Sequence, residues 1–287
     1  MIERTQVTLV IATLVAVLFI LERYVALRRR RSPLMPRLCV NAAISALAFA
    51  VALLLVRPTS MAVLGWASDR PFGIVQVAAM PVPIQFGLSF LLMDLTFYWW
   101  HVANHRVPFL WRFHNVHHID PDLDVSTAFR FHFGEVALST GFRVIQVSMI
   151  GLSAWMFAVY ELVFQANTVF HHSNVRLPIR LERLLNLVLV TPRMHGIHHS
   201  QVRDETNSNY SVVFSWWDRL HGTIGLNIPQ AALVIGVPAY TDPADNTLSN
   251  DLLLPFRRQR DYWRRPDGVP IERDHSVLRA GPSTLAE

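Results

Sequence analysis

Nineteen consecutive residues, Leu38 to Val56, carry no charge. That is close to the roughly 20 apolar residues that cross the hydrocarbon core of a bilayer, and it constrains the fold more than any other stretch. A second such run, Val7 to Leu21, is interrupted by Glu22 and Arg23 and resumes to Leu27. Charged residues make up 16% of the 287-residue chain and the hydrophobic set 52%. A soluble domain usually carries about 25% charge, so an integral membrane protein is expected. The start is not a signal peptide: Arg4 alone supplies the leading charge, and no small-residue cleavage site follows.

Charge placement sets the expected topology. The segment 28–37 holds five arginines, whereas 57–83 holds two arginines and four prolines, Pro58, Pro71, Pro81 and Pro83. The positive-inside rule places the first segment in the cytoplasm and the second, read as a loop, outside. A third span, Ile84 to Trp100, then returns the chain to the cytoplasm. Residues Val136 to Phe170 suit a helical hairpin turning near Gly151, which brings His171 back to the starting side. Nothing after Ser173 is long enough to span. The expectation is an all-α bundle of three spans plus a hairpin, under a cytosolic histidine-rich cap. Residues 1–83 form the N-terminal helices and loop, 84–225 the working domain and 226–287 a loop-rich tail. All 26 basic residues are arginine, which points to a GC-rich bacterial genome and hence the inner membrane. These arginines flank apolar spans, so they imply topology and lipid head groups rather than nucleic acid.

The single cysteine, Cys39, excludes a disulfide framework and cysteine-held clusters, so any metal has nitrogen or oxygen ligands. Ten of the thirteen histidines crowd three windows: His101, His105, His114, His117 and His118; His171 and His172; His195, His198 and His199. Residues i and i+4 share a helix face, as do i, i+3 and i+4. Two copies of His-x-x-His-His plus a pair give eight imidazoles, enough for two ions with four or five nitrogens each. Imidazole suits iron, zinc, copper or nickel. Asp94, inside an apolar span, is either a buried hydrogen-bond partner or a group orienting ligands from behind.

The order of these motifs resembles the fatty acid hydroxylase superfamily, which includes sterol desaturases and sterol methyl oxidases. The resemblance runs over residues 84–225. It comprises Asp94 ahead of His101 and His105, the two His-x-x-His-His boxes, the Thr127–His132 stretch, His171-His172, and Trp217 to Thr223. It implies a membrane-bound non-haem di-iron oxygenase that takes dioxygen as co-substrate and hydroxylates a lipid. It further implies His101, His105, His114, His117, His118, His195, His198 and His199 as metal ligands, with one of His171 and His172. Arg130, His132 and Asn167, with Glu135 beside them, are expected to support those ligands. His221 and His275 are not expected to be ligands. No haem, flavin or iron–sulfur motif is visible, so electrons must come from a separate ferredoxin- or cytochrome-type donor. Desaturation on the same site is the alternative. A metal transporter would need polar groups through several spans, and a zinc hydrolase would need a general base beside a three-ligand ion.

Overall fold

A computed structural model of the chain describes residues 4–68, 70, 72–78 and 80–273; His275 lies outside them. The described residues form helices and isolated bridges, with no strand. Helix α1 (Arg4–Tyr24) and helix α2 (Leu34–Val51) start the chain. A π-helical turn, Ala52–Val56, carries α2 straight into α3 (Arg57–Ser68). This corrects the expectation of a loop from residue 57. The π turn widens the backbone just ahead of Pro58, with the Arg57 N–H reaching back to the Ala52 carbonyl, and so accepts a proline that a regular α turn would reject. Among the described residues of the prolyl segment, irregular backbone is confined to the surroundings of α4 (Ile74–Val77).

Among the described residues, two helices are long and apolar enough to cross a membrane, Gln6–Tyr24 and the continuous Leu34–Ala67. Only 11% and 22% of their most apolar windows are buried within the protein. Leu9, Val10, Val17, Ile20, Leu53 and Leu54 instead face outward. That apolar surface is what a bilayer would cover.

Helix α5 (Val82–Arg106) starts behind Pro81 with Pro83 in its first turn, and α6 (Pro108–His118) starts on its own proline. Proline fits there because its missing N–H has no helical partner in a first turn. Helices α7 (Phe133–Ile150) and α8 (Ala154–His172) form the expected hairpin. Gly151 caps α7 in the left-handed region at φ 73°. A Cβ on Gly73 would stand 2.5 Å from the Gly151 Cα, so two glycine backbones meet at the hairpin tip. An apolar core of Met93, Val147, Ile150, Leu152, Tyr160 and Phe164 joins the hairpin to α5.

Short helices cap one end of this bundle: α9 (Ile179–Leu185), α10 (Pro192–His198), α11 (Arg203–Thr206) and α12 (Trp216–His221). The tail folds back through α13 (Leu248–Leu253). Val237, Tyr240 and Leu254 of the tail pack with Ile44 and Trp111, so this segment belongs to the core rather than hanging free.

Candidate metal centre

Nine imidazoles gather where α5, α6, α8 and α10 converge. His101, His105, His114, His118 and His198 form one group, and His117, His172, His195 and His199 form another. The ligand atoms of each group lie within 4.8 Å of one another. Each His-x-x-His-His box is divided. The first sends His114 and His118 to the larger group and His117 to the smaller; the second sends His195 and His199 to the smaller and His198 to the larger. His172 is gathered in, and His171 stands outside both groups.

Backbone carbonyls fix the tautomers. The Nδ1 atoms of His101, His117, His172 and His198 donate to the carbonyls of Tyr210 (2.7 Å), Arg130 (3.2 Å), Thr168 (2.8 Å) and Ser208 (2.7 Å). His114 Nδ1 donates to Glu135 Oε1 at 2.9 Å. A carbonyl can only accept, so each of these Nδ1 atoms holds the proton and Nε2 is a bare lone pair. Burial holds His117, His118, His195 and His199 well below the ordinary imidazole range and takes His198 to about 3. These five imidazoles are therefore neutral.

Those bare nitrogens point at one another. His101 Nε2 is 3.1 Å from His198 Nε2 and 3.2 Å from His114 Nε2. His117 Nε2 is 3.1 Å from His172 Nε2. No proton lies between them, so the contacts repel unless a cation sits among them. Nitrogens each about 2.1 Å from one ion would be roughly 3.0–3.4 Å apart in octahedral or tetrahedral geometry, which matches. His105 has no partner at either nitrogen, and neither does His118 Nε2, although all are buried. Such orphans cost about 1–3 kcal/mol each when nothing binds them. The donor set fits two metal ions with only nitrogen ligands.

The supporting residues act at graded distances. The Arg130 side chain bonds the Val116 carbonyl, Asn41, Asn246 and Asp251, which fixes the carbonyl that receives His117. Two of those partners lie in the tail. His132 caps α7 by accepting from the Gly134 N–H, and its Nε2 meets the Leu252 carbonyl; it touches no member of either group. Asp94 accepts from the Val213 and Phe214 backbone N–H groups and from the Trp217 indole. It thus anchors the strand-like stretch that offers the Tyr210 carbonyl to His101. Asn167 donates to the Val212 carbonyl and lies 3.3 Å from His171 Nδ1. His221 stacks on Tyr98 and belongs to neither group. The four carbonyl partners were not foreseen, because a backbone carbonyl has no sequence signature.

A cleft with about 950 Å³ of empty space, open mouth included, is lined by imidazoles of both groups, among them His101, His114, His117 and His172. Its walls include Phe97, Trp100, Phe142 and Phe164. A model of the fatty acid hydroxylase family matches residues 86–223, the span that holds every imidazole of both groups. Residues 86–223 belong to the fatty acid hydroxylase family.

Relatives of this fatty acid hydroxylase region act on different lipids. The chain is 32% identical over 143 residues to an ornithine lipid hydroxylase of Rhizobium tropici, covering 50% of this chain and 42% of that protein. It is 32% identical over 138 residues to human alkylglycerol monooxygenase, covering 47% and 29%. It is 30% identical over 139 residues to rat cholesterol 25-hydroxylase, covering 48% and 45%. The matches thus span less than half the length of these relatives. No solved structure matches the chain.

Proposed function

We propose that this protein is a membrane-bound, non-haem di-iron monooxygenase that hydroxylates a C–H bond of a lipid. The observation that carries the reading is the set of unprotonated Nε2 atoms facing one another among imidazoles that line a largely apolar cleft. The five- and four-imidazole groups would each hold one iron. Bound iron supplies the activation of dioxygen and the attack on an unactivated C–H bond. The overall change takes one dioxygen, two electrons and two protons, and yields the alcohol and water.

The chain's own residues do the rest. Carbonyls of Arg130, Thr168, Ser208 and Tyr210 keep the imidazoles in the ligating tautomer. Phe97, Phe142 and Phe164 exclude water and lay a hydrocarbon against the site. The helices α1 and α2–α3 anchor the protein in the bilayer, with the histidine end at the cytosolic face. There a lipid can enter from one side and a ferredoxin- or cytochrome-type donor can reach the other. Desaturation differs only in losing a second hydrogen where the first would be replaced by hydroxyl, so it is the second reading on the same site.

The test is metal analysis of detergent-purified, iron-grown protein, with Mössbauer spectra before and after oxygen. About two coupled irons per chain that respond to oxygen are expected. One metal or none, inert to oxygen, overturns the proposal. Lipid profiling of a deletion strain then identifies the substrate.

A further inference from the structure

Two residues that line the cleft each carry a buried acceptor that nothing in the protein satisfies. Glu135 uses Oε1 for His114, and its Oε2 is buried without a partner. Asn104 Oδ1 is likewise buried and unpartnered. Glu135 is 7% exposed and Asn104 2%, and both line the cleft beside His101 and His114. They come from different elements, Glu135 from α7, where it bonds His114, and Asn104 from α5, one turn after His101.

The other polar groups along the cleft are engaged or wet. Ser139 donates to the Val136 carbonyl and Thr168 to that of Phe164. Arg143 donates to Gln146 and pairs with Glu161 at 3.0 Å. Gln165 is only half-buried. The unmet demand is therefore for donors, and Glu135 places it beside His114. A purely hydrocarbon ligand would leave a carboxylate oxygen and an amide oxygen dry and unpaired, which is costly. A ligand with a hydroxyl or amino group there would satisfy them.

We propose that the substrate carries a hydrogen-bond donor, a hydroxyl or amino group, next to the carbon that is oxidised, and that Glu135 Oε2 and Asn104 Oδ1 receive it. This rests on the lipid-hydroxylase reading of the same cleft and narrows its substrate class. Glu135 and Asn104 are thereby specificity residues. Sites built to bond a substrate donor reject analogues that lack it far more strongly than apolar pockets reject a changed methylene.

The experiment titrates detergent-purified, metal-loaded full-length protein with three probes of equal chain length: hexadecanol, hexadecylamine and hexadecyl methyl ether. Binding is followed by tryptophan emission, since Trp100 lines the cleft. The alcohol or the amine should bind at least tenfold more tightly than the ether. Glu135→Gln keeps an acceptor for His114 but turns the free position into a donor, so the preference should collapse or reverse. Asn104→Leu removes the second acceptor without touching the His114 bond and should weaken the preference with metal content unchanged. Equal wild-type affinity for all three probes overturns the proposal, as does a preference that survives in both variants. Metal analysis of the same samples separates the two readings. A preparation without iron that still prefers alcohol or amine supports the donor site and sinks the di-iron centre.

Discussion

Replacing Asp94 with asparagine asks how far the metal centre depends on a carboxylate that touches no histidine. Asp94 receives three donors: Val213 N at 3.3 Å, Phe214 N at 3.0 Å and Trp217 Nε1 at 2.7 Å. Asparagine keeps one acceptor oxygen. With that oxygen in the Oδ2 place it retains Phe214 and Trp217, loses the negative charge, and sets its NH2 group against the Val213 N–H. A bond to a charged group is worth about 1.5–3 kcal/mol and a buried orphan donor costs about 1–3. The sum is a loss of about 3–5 kcal/mol. At roughly 2–4 °C per kcal/mol for a chain of this size, the midpoint of thermal unfolding should fall by on the order of 10 °C. The Tyr210 carbonyl shifts with the released stretch, so metal should leave as well, first from the group containing His101. Trp217→Phe supplies the control. In the wild type it removes a bond to a carboxylate; in Asp94→Asn it removes a bond to a neutral oxygen, worth about 0.5–1.5 kcal/mol. Its cost should be about 1 kcal/mol smaller in the Asp94→Asn background. Unfolding in detergent and metal mass spectrometry read both effects. Wild-type stability and full metal in Asp94→Asn would refute the reasoning.

Two further outcomes are expected. His105→Ala should lower bound metal from about two ions to about one, whereas His171→Ala should leave both, as measured by metal analysis of purified protein; equal losses would mean that the partition into five and four ligands is wrong. Gly196→Ala should fail differently: its Cβ would run into the Arg28 guanidinium, which is held by the Pro192 carbonyl and Gln230, so either that guanidinium gives up its bonds or α10 shifts, carrying His195 and His198 with it. Metal content should drop, and Arg28→Ala in the same chain should restore part of it by opening the space.

Much of this architecture could be read from the residues. Of the three breaks in the apolar run of the hairpin, Gly141, Arg143 and Gly151, it was Gly151 near the middle that supplied the left-handed cap a hairpin needs. The spacing of the histidine windows foretold that their side chains would gather in one place. Pro58 misled, because a proline breaks an α-helix but not one already widened by a π turn. The division of each His-x-x-His-His box was legible only in hindsight. On a helix with about 100° per residue, i+3 lies about 60° to one side of i and i+4 about 40° to the other, so the three share a broad face yet can serve two ions. The tail was undervalued because Asn246 and Asp251 contribute through Arg130, a partnership across more than a hundred residues that no local pattern encodes.

The division of the boxes has a consequence for how such a centre can change over evolutionary time. Because α6 and α10 each feed both groups, a small slide or rotation of either helix disturbs two coordination spheres at once. The pair behaves as a single mechanical unit, like two locks thrown by one bolt. A lineage could not drift toward a one-ion enzyme by eroding one box, since that erosion strips both sites. Ions used jointly in this way would hold both helices in place, which would tie the persistence of the second site to that of the first.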